Sequence, residues 1–132
     1  MPNFIRITPF MHVTDVGAAV HFFTNILGFK AWIHVSESYA YVQREVAAVR
    51  ILKASTSPGE VPAPGTRAFR YYIDVEDVDA VVAEVRPRLE AAGLPGGHGP
   101  VDQPYGQREY MILAPDGDLV VFGQSIFEMP TN

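Results

Sequence analysis

Apolar and polar positions alternate between two kinds of spacing along this chain, and they do so in the same order twice. Residues 5–13 read as a strand. Val16, Val20, Phe23 and Leu27 then recur at helical spacing behind Asp15, a residue type that caps a first helical turn. Gly28 fits the left-handed residue that closes a helix. Three strand-like runs follow, at residues 30–35, 39–44 and 47–54.

The second half repeats the pattern. Residues 69–75 form the strand, Val78, Val81, Val85 and Leu89 the helical stripe, Asp77 the cap and Gly93 the stop. Asp15/Asp77, Val16/Val78, Ala18/Ala80 and Val20/Val82 keep a single offset. Pro87 falls inside the second helix and is expected to kink or divide it. Of the next three runs, the one near residues 99–102 is poorly defined. Residues 107–113 and 119–124 are clear strands, joined by the Asp116–Gly117 turn of "APDGDLVVFG". The expected fold class is α+β: two βαβββ modules forming a curved mixed sheet with helices on one face. The modules lie at about 4–55 and 67–127 of a single domain spanning 1–132, joined by the Pro/Gly/Ser-rich linker 56–66.

Composition narrows the function classes. With 132 residues, 48% hydrophobic and 19% charged, the chain can bury enough apolar surface to offset the entropy of ordering. A net charge of −5 and scattered basic residues argue against a nucleic-acid partner, because phosphate binding needs clustered Lys and Arg. The absence of cysteine removes disulfides, thiolate metal sites and a thiol nucleophile. No apolar run approaches membrane-spanning length, and the N-terminus lacks the pattern of a signal peptide, so no membrane partner and a cytoplasmic location are expected.

Other catalytic patterns are weak. No G-x-S-x-G occurs. "GLPGGHG" ends a helix and does not lead from a strand into one, as a phosphate loop does. Asp74, Glu76, Asp77 and Asp79 read mostly as a solvated helix start.

Three blocks, "HVTDVGAAVHFFTNILGF", "YIDVEDVDAVVAEV" and "PYGQREYMILAPDGDLVVFG", resemble the glyoxalase/bleomycin-resistance/extradiol-dioxygenase (vicinal oxygen chelate) superfamily over almost the whole chain. "TNILGF" and "YAYVQRE" are most similar to its bleomycin-resistance binding proteins. The resemblance implies a homodimer with a ligand cavity. In metal-using members, His, Glu or Gln from the first and last strand of each module hold one divalent ion. Carried over, those positions fall on Thr8, on or beside Arg50, on Arg70 and on Val121. A guanidinium has no lone pair to give, valine has no donor atom, and a lone threonine hydroxyl is a weak ligand. A slip of one residue reaches only Val120 or Phe122.

The resemblance therefore implies a metal-free, cofactor-free small-molecule binder without catalytic residues. Its ligand-binding residues would be Phe10, His12, Trp32, His34, Tyr39 (or Tyr41 on its parity), Arg70, Tyr72 and Tyr105. Aromatic faces with a few polar groups suit a bulky, partly planar ligand such as an aromatic or glycopeptide-like drug. A buried Arg70 would further require Asp74, another carboxylate or an anionic ligand group. The alternative is a metal-dependent lyase, isomerase or dioxygenase of the glyoxalase type, with a site displaced onto His12, His34 and Glu109.

Overall fold

The computed structural model describes residues 3–54 and 69–127; the linker expected at 56–66 lies outside them. The chain divides into two compact units, residues 1–62 and 63–132. The first contains β1 (Phe10–Val13), α1 (Val16–His21) continuing into a π-helical turn (Phe22–Ile26), β2 (Lys30–Val35), β3 (Tyr39–Arg44) and β4 (Ala47–Lys53). The second contains β5 (Arg70–Asp74), α2 (Val78–Ala91), β6 (His98–Asp102), β7 (Gln107–Leu113) and β8 (Leu119–Ser125). Each unit is thus a βαβββ module with its own four-stranded mixed sheet, ordered β1-β4-β3-β2 in one and β5-β8-β7-β6 in the other. β1 and β5 run parallel to β4 and β8, and the remaining neighbours are antiparallel.

Local chemistry explains why the helices start and stop where they do. Asp15 and Asp77 are both extended, and each Oδ1 accepts from the backbone N–H three residues on, Ala18 at 3.0 Å and Ala80 at 3.1 Å. Gly28 and Gly93 both adopt φ of 73°, the left-handed conformation that costs a residue with a Cβ most.

Two expectations about the helices change. α2 runs unbroken across Pro87. Ala83, four residues earlier, shares its exposed face, so water can satisfy the carbonyl that loses its donor. In the first unit, the N–H of Leu27 donates to Phe22 O at 3.2 Å, a π-type bond, while Thr24 Oγ1 donates to Val20 O at 2.8 Å. The widened turn brings Phe22, Phe23, Ile26 and Leu27 all to the buried side.

The first strand is also shorter than its pattern suggests. Pairing begins at Phe10, because Pro9 has no N–H for the ladder; its carbonyl still accepts from Arg50 N at 2.9 Å. Phe4, Ile5 and Ile7 are exposed.

One face of each sheet is closed by its helix. In the first unit, α1 packs on β3 and β4 over Met11, Val13, Ala40, Val42, Val49 and Ile51. In the second, α2 packs on β6, β7 and β8 over Tyr110, Ile112, Val120 and Phe122. Full burial of an aliphatic or aromatic side chain contributes roughly 1.5–3 kcal/mol, so these stripes supply most of the drive to fold. The opposite face of each sheet is left for other work.

Candidate functional site

Strand register decides which side chains share the open faces. In the first sheet Phe10, Arg50, Tyr41 and Ile33 lie in one row, and His12, Leu52, Tyr39 and Val35 in the next. Arg50 donates to the Tyr39 hydroxyl at 2.6 Å, and its guanidinium stands 4.8 Å from the centre of the Tyr41 ring. Arg6 donates to the Tyr41 hydroxyl at 3.1 Å. Phe10 and His12 are exposed on this face.

A β-bulge between Ala31 and Ile33 breaks the parity of β2. Lys30 Nζ stands 4.9 Å over the ring of Trp32, which is 60% exposed. Beyond the bulge His34 pairs with Ala40, whose row continues to Ile51 and Met11 on the helix side. Simple alternation puts His34 with Trp32, but the register sends His34 and His12 out of opposite faces. Among the described residues, no group of three or more His, Asp or Glu side chains is placed to hold a metal ion.

In the second sheet Arg70 shares a row with Leu119, Tyr72 with Val121 and Met111, and Asp74 with Gly123, Glu109 and Val101. Tyr72 lies across Gly123, where the missing Cβ leaves room for its ring. Its hydroxyl donates to Gln107 Oε1 at 3.1 Å and is close enough to Glu109 to feel that carboxylate's charge. Tyr105, exposed in the turn before β7, donates to Glu109 Oε1 at 2.9 Å. Glu109 itself is only 4% exposed.

Both phenols are held protonated beyond the ordinary tyrosine range. For Tyr72 desolvation is the main cause, followed by the neighbouring Glu109 carboxylate. For Tyr105 the hydrogen bond to Glu109 comes first. Arg70 is exposed, so the cost of a buried arginine does not arise there.

The residues onto which the family resemblance carries the metal-ligand positions offer few donors. Arg50 is engaged with two tyrosines, Arg70 is an exposed cation, and Val121 is buried without a donor atom. Thr8 offers one hydroxyl.

Sequence pattern missed Gln107 and Gly123, and named Tyr72 and Tyr105 without showing that they stand beside Glu109. The period of "YGQREY" does put Gln107 and Glu109 on one face. Seeing Tyr72 beside them requires the pairing of β5, β8 and β7.

Comparison with known proteins agrees with this architecture. The family model of the Glyoxalase/Bleomycin resistance protein/Dioxygenase superfamily matches residues 6–122. No curated protein matches the chain. A bleomycin-binding protein from bleomycin-producing Streptomyces verticillus, solved with copper(II)-bleomycin, is similar in structure, with a TM-score of 0.73 and 23% identity over 95% of this chain and 99% of that one. An antibiotic-binding protein from a Streptomyces species gives 0.67 and 22% over 95% and 99%. A lactoylglutathione lyase from Agrobacterium tumefaciens gives 0.66 and 18% over 90% and 92%. At these identities the likeness speaks for the fold, which binders and an enzyme share.

Proposed function

Because this chain belongs to the Glyoxalase/Bleomycin resistance protein/Dioxygenase superfamily, we propose that it is a metal-free small-molecule binding protein of the bleomycin-resistance type. It sequesters an aromatic or glycopeptide-like ligand in the cavity of a homodimer, its two modules acting as one domain in the cytoplasm. What supports this reading is the donor set: by the family resemblance the metal-ligand positions fall on Thr8, on or beside Arg50, on Arg70 and on Val121, a set of one weak hydroxyl donor, two guanidinium cations and a side chain with no donor atom. The open faces instead present Phe10, Tyr39, Tyr41, Tyr72 and Tyr105 with hydrogen-bonding groups between them, the lining that suits flat, polar-edged ligands. Among the described residues no helix is long and apolar enough to cross a membrane.

The test is isothermal titration with metal-free bleomycin, with emission followed from Trp32, the single tryptophan. Saturable heat with a matching change in emission is expected, together with a dimer by light scattering. No binding at high micromolar drug counts against the reading, and a stoichiometric transition metal in the purified protein would favour an enzyme.

A further inference from the structure

The second sheet holds a carboxylate that its own side chains leave uncompensated. Glu109 is 4% exposed, and its hydrogen-bonding side-chain partner among the described residues is the neutral phenol of Tyr105, at 2.9 Å; the Tyr72 hydroxyl, whose single proton goes to Gln107, is close enough to feel its charge. Among the described residues no Lys, Arg or His forms an ion pair with it, and the cations of this unit that do form ion pairs, Arg88 and Arg108, are engaged by Glu84, Asp79 and Asp102. A buried charge is costly unless it is paired and hydrogen-bonded. A carboxylate offers about four lone-pair sites, and one phenol donor fills only part of them.

The surroundings point to what completes it. Tyr72 and Tyr105 stand near the carboxylate, their rings are of the kind whose faces attract a cation, and both are too exposed to be merely core. Asp74, in the same row of the sheet as Glu109, adds a second negative charge; Arg70, on the same face of β5, lends its charge to Tyr105 but is exposed and forms no ion pair with Glu109. An anionic or a neutral ligand group would leave the Glu109 charge unpaired. An organic cation pairs it, donates N–H to its open lone pairs and lies against the rings.

We propose that Glu109, Tyr72 and Tyr105 form a subsite for an organic cation of the amine or amidine class carried by the ligand. This rests on the ligand-binding reading above and adds the chemical class that one part of the site selects.

Benzamidinium and its neutral isostere benzamide, titrated into the full-length protein while the Tyr72 and Tyr105 ring resonances are followed by NMR, test it. Charge-assisted hydrogen bonding predicts benzamidinium binding about tenfold or more tighter than benzamide. Glu109→Gln should erase the difference and leave benzamide unaffected. The wild-type comparison decides even if that variant folds poorly: equal affinities, or no binding of either probe, overturn the inference. So does a preference that survives in Glu109→Gln. Bleomycin serves as the separating arm. If it binds while the probes show no charge preference, only the cation subsite falls; if none of the three binds, the ligand-binding reading falls with it.

Discussion

Gly123→Ala asks whether the strand beneath Tyr72 holds that ring in place. A Cβ on Gly123 would lie 2.5 Å from Tyr72 Cε1 and closer still to Cζ and the hydroxyl, whereas carbon atoms make good contact at about 3.5 Å or more. One of the two must move. The obstructing atoms are the far end of a side chain that is 44% exposed, so the ring can swing out without disturbing the backbone. What is lost is the hydrogen bond to Gln107 and the approach to Glu109; a net hydrogen bond contributes roughly 0.5–1.5 kcal/mol. Gly123 does not adopt the left-handed conformation, so alanine also narrows the unfolded ensemble and returns roughly 0.4–1 kcal/mol. Global stability should therefore fall by about 1 kcal/mol or less, read from the urea midpoint. The site should change far more: Tyr72 ionisation, followed by ultraviolet absorbance, should drop back toward that of a free phenol. A variant whose Tyr72 ionises as late as in the wild type would refute the reasoning, and so would one that loses several kcal/mol. Gly99→Ala is the contrast. Its Cβ would meet the backbone carbonyl oxygen of Glu109 at a φ of 116°, nothing there can swing aside, and a loss above about 2 kcal/mol is expected.

Two further outcomes follow from the same geometry. Tyr72, Tyr105 and Tyr110 all hold their protons more tightly in the folded state, Tyr110 chiefly through burial. Their folded values lie above the unfolded value of about 10, so this contribution is complete below that pH and is lost as pH rises through the folded values. Urea midpoints taken across alkaline pH should fall above about pH 10, and a rise there would contradict the assignment. Arg86 donates to Gly96 O at 2.9 Å and Gly99 O at 2.7 Å and stands 5.2 Å over the Tyr110 ring. Arg86→Met keeps the aliphatic stem but leaves two carbonyls without that donor, for an expected loss of about 2–3 kcal/mol in thermal or urea unfolding; a loss under about 0.5 kcal/mol would show that water replaces the guanidinium.

What could be read from the sequence was whatever depends on neighbours a few residues apart. The two Asp caps, the two glycine stops and the Asp116–Gly117 turn are local, so the repeated module could be recognised without coordinates. The alternation of Arg70, Tyr72 and Asp74 held because β5 is regular. It failed for His34 because one bulge reverses every later side chain on β2. Pro9 ended β1 early through a single missing donor, and Pro87 left α2 continuous because its strained side faces water. Glu109 was visible as a possible ligand, and Tyr105 lies four residues from it, but Tyr72 arrives from β5 across β8, which only the assembled sheet brings together.

The strand order of each unit also sets a sequence of events in time. β2, β3 and β4 join through short turns and can zip up locally, as can β6, β7 and β8. β1 and β5, made first, pair in parallel with β4 and β8, made last; Phe10 must meet Arg50 and Arg70 must meet Leu119. Closing such long loops costs chain entropy before any contact rewards it, so these pairings are the slow ones. Pulse-labelled hydrogen exchange should find Met11 and Val13 protected after Val42 and Val49, and simultaneous protection would argue against this order. Each unit works as a clasp: its earliest residues wait for its latest, and only then is the helix sealed against the sheet.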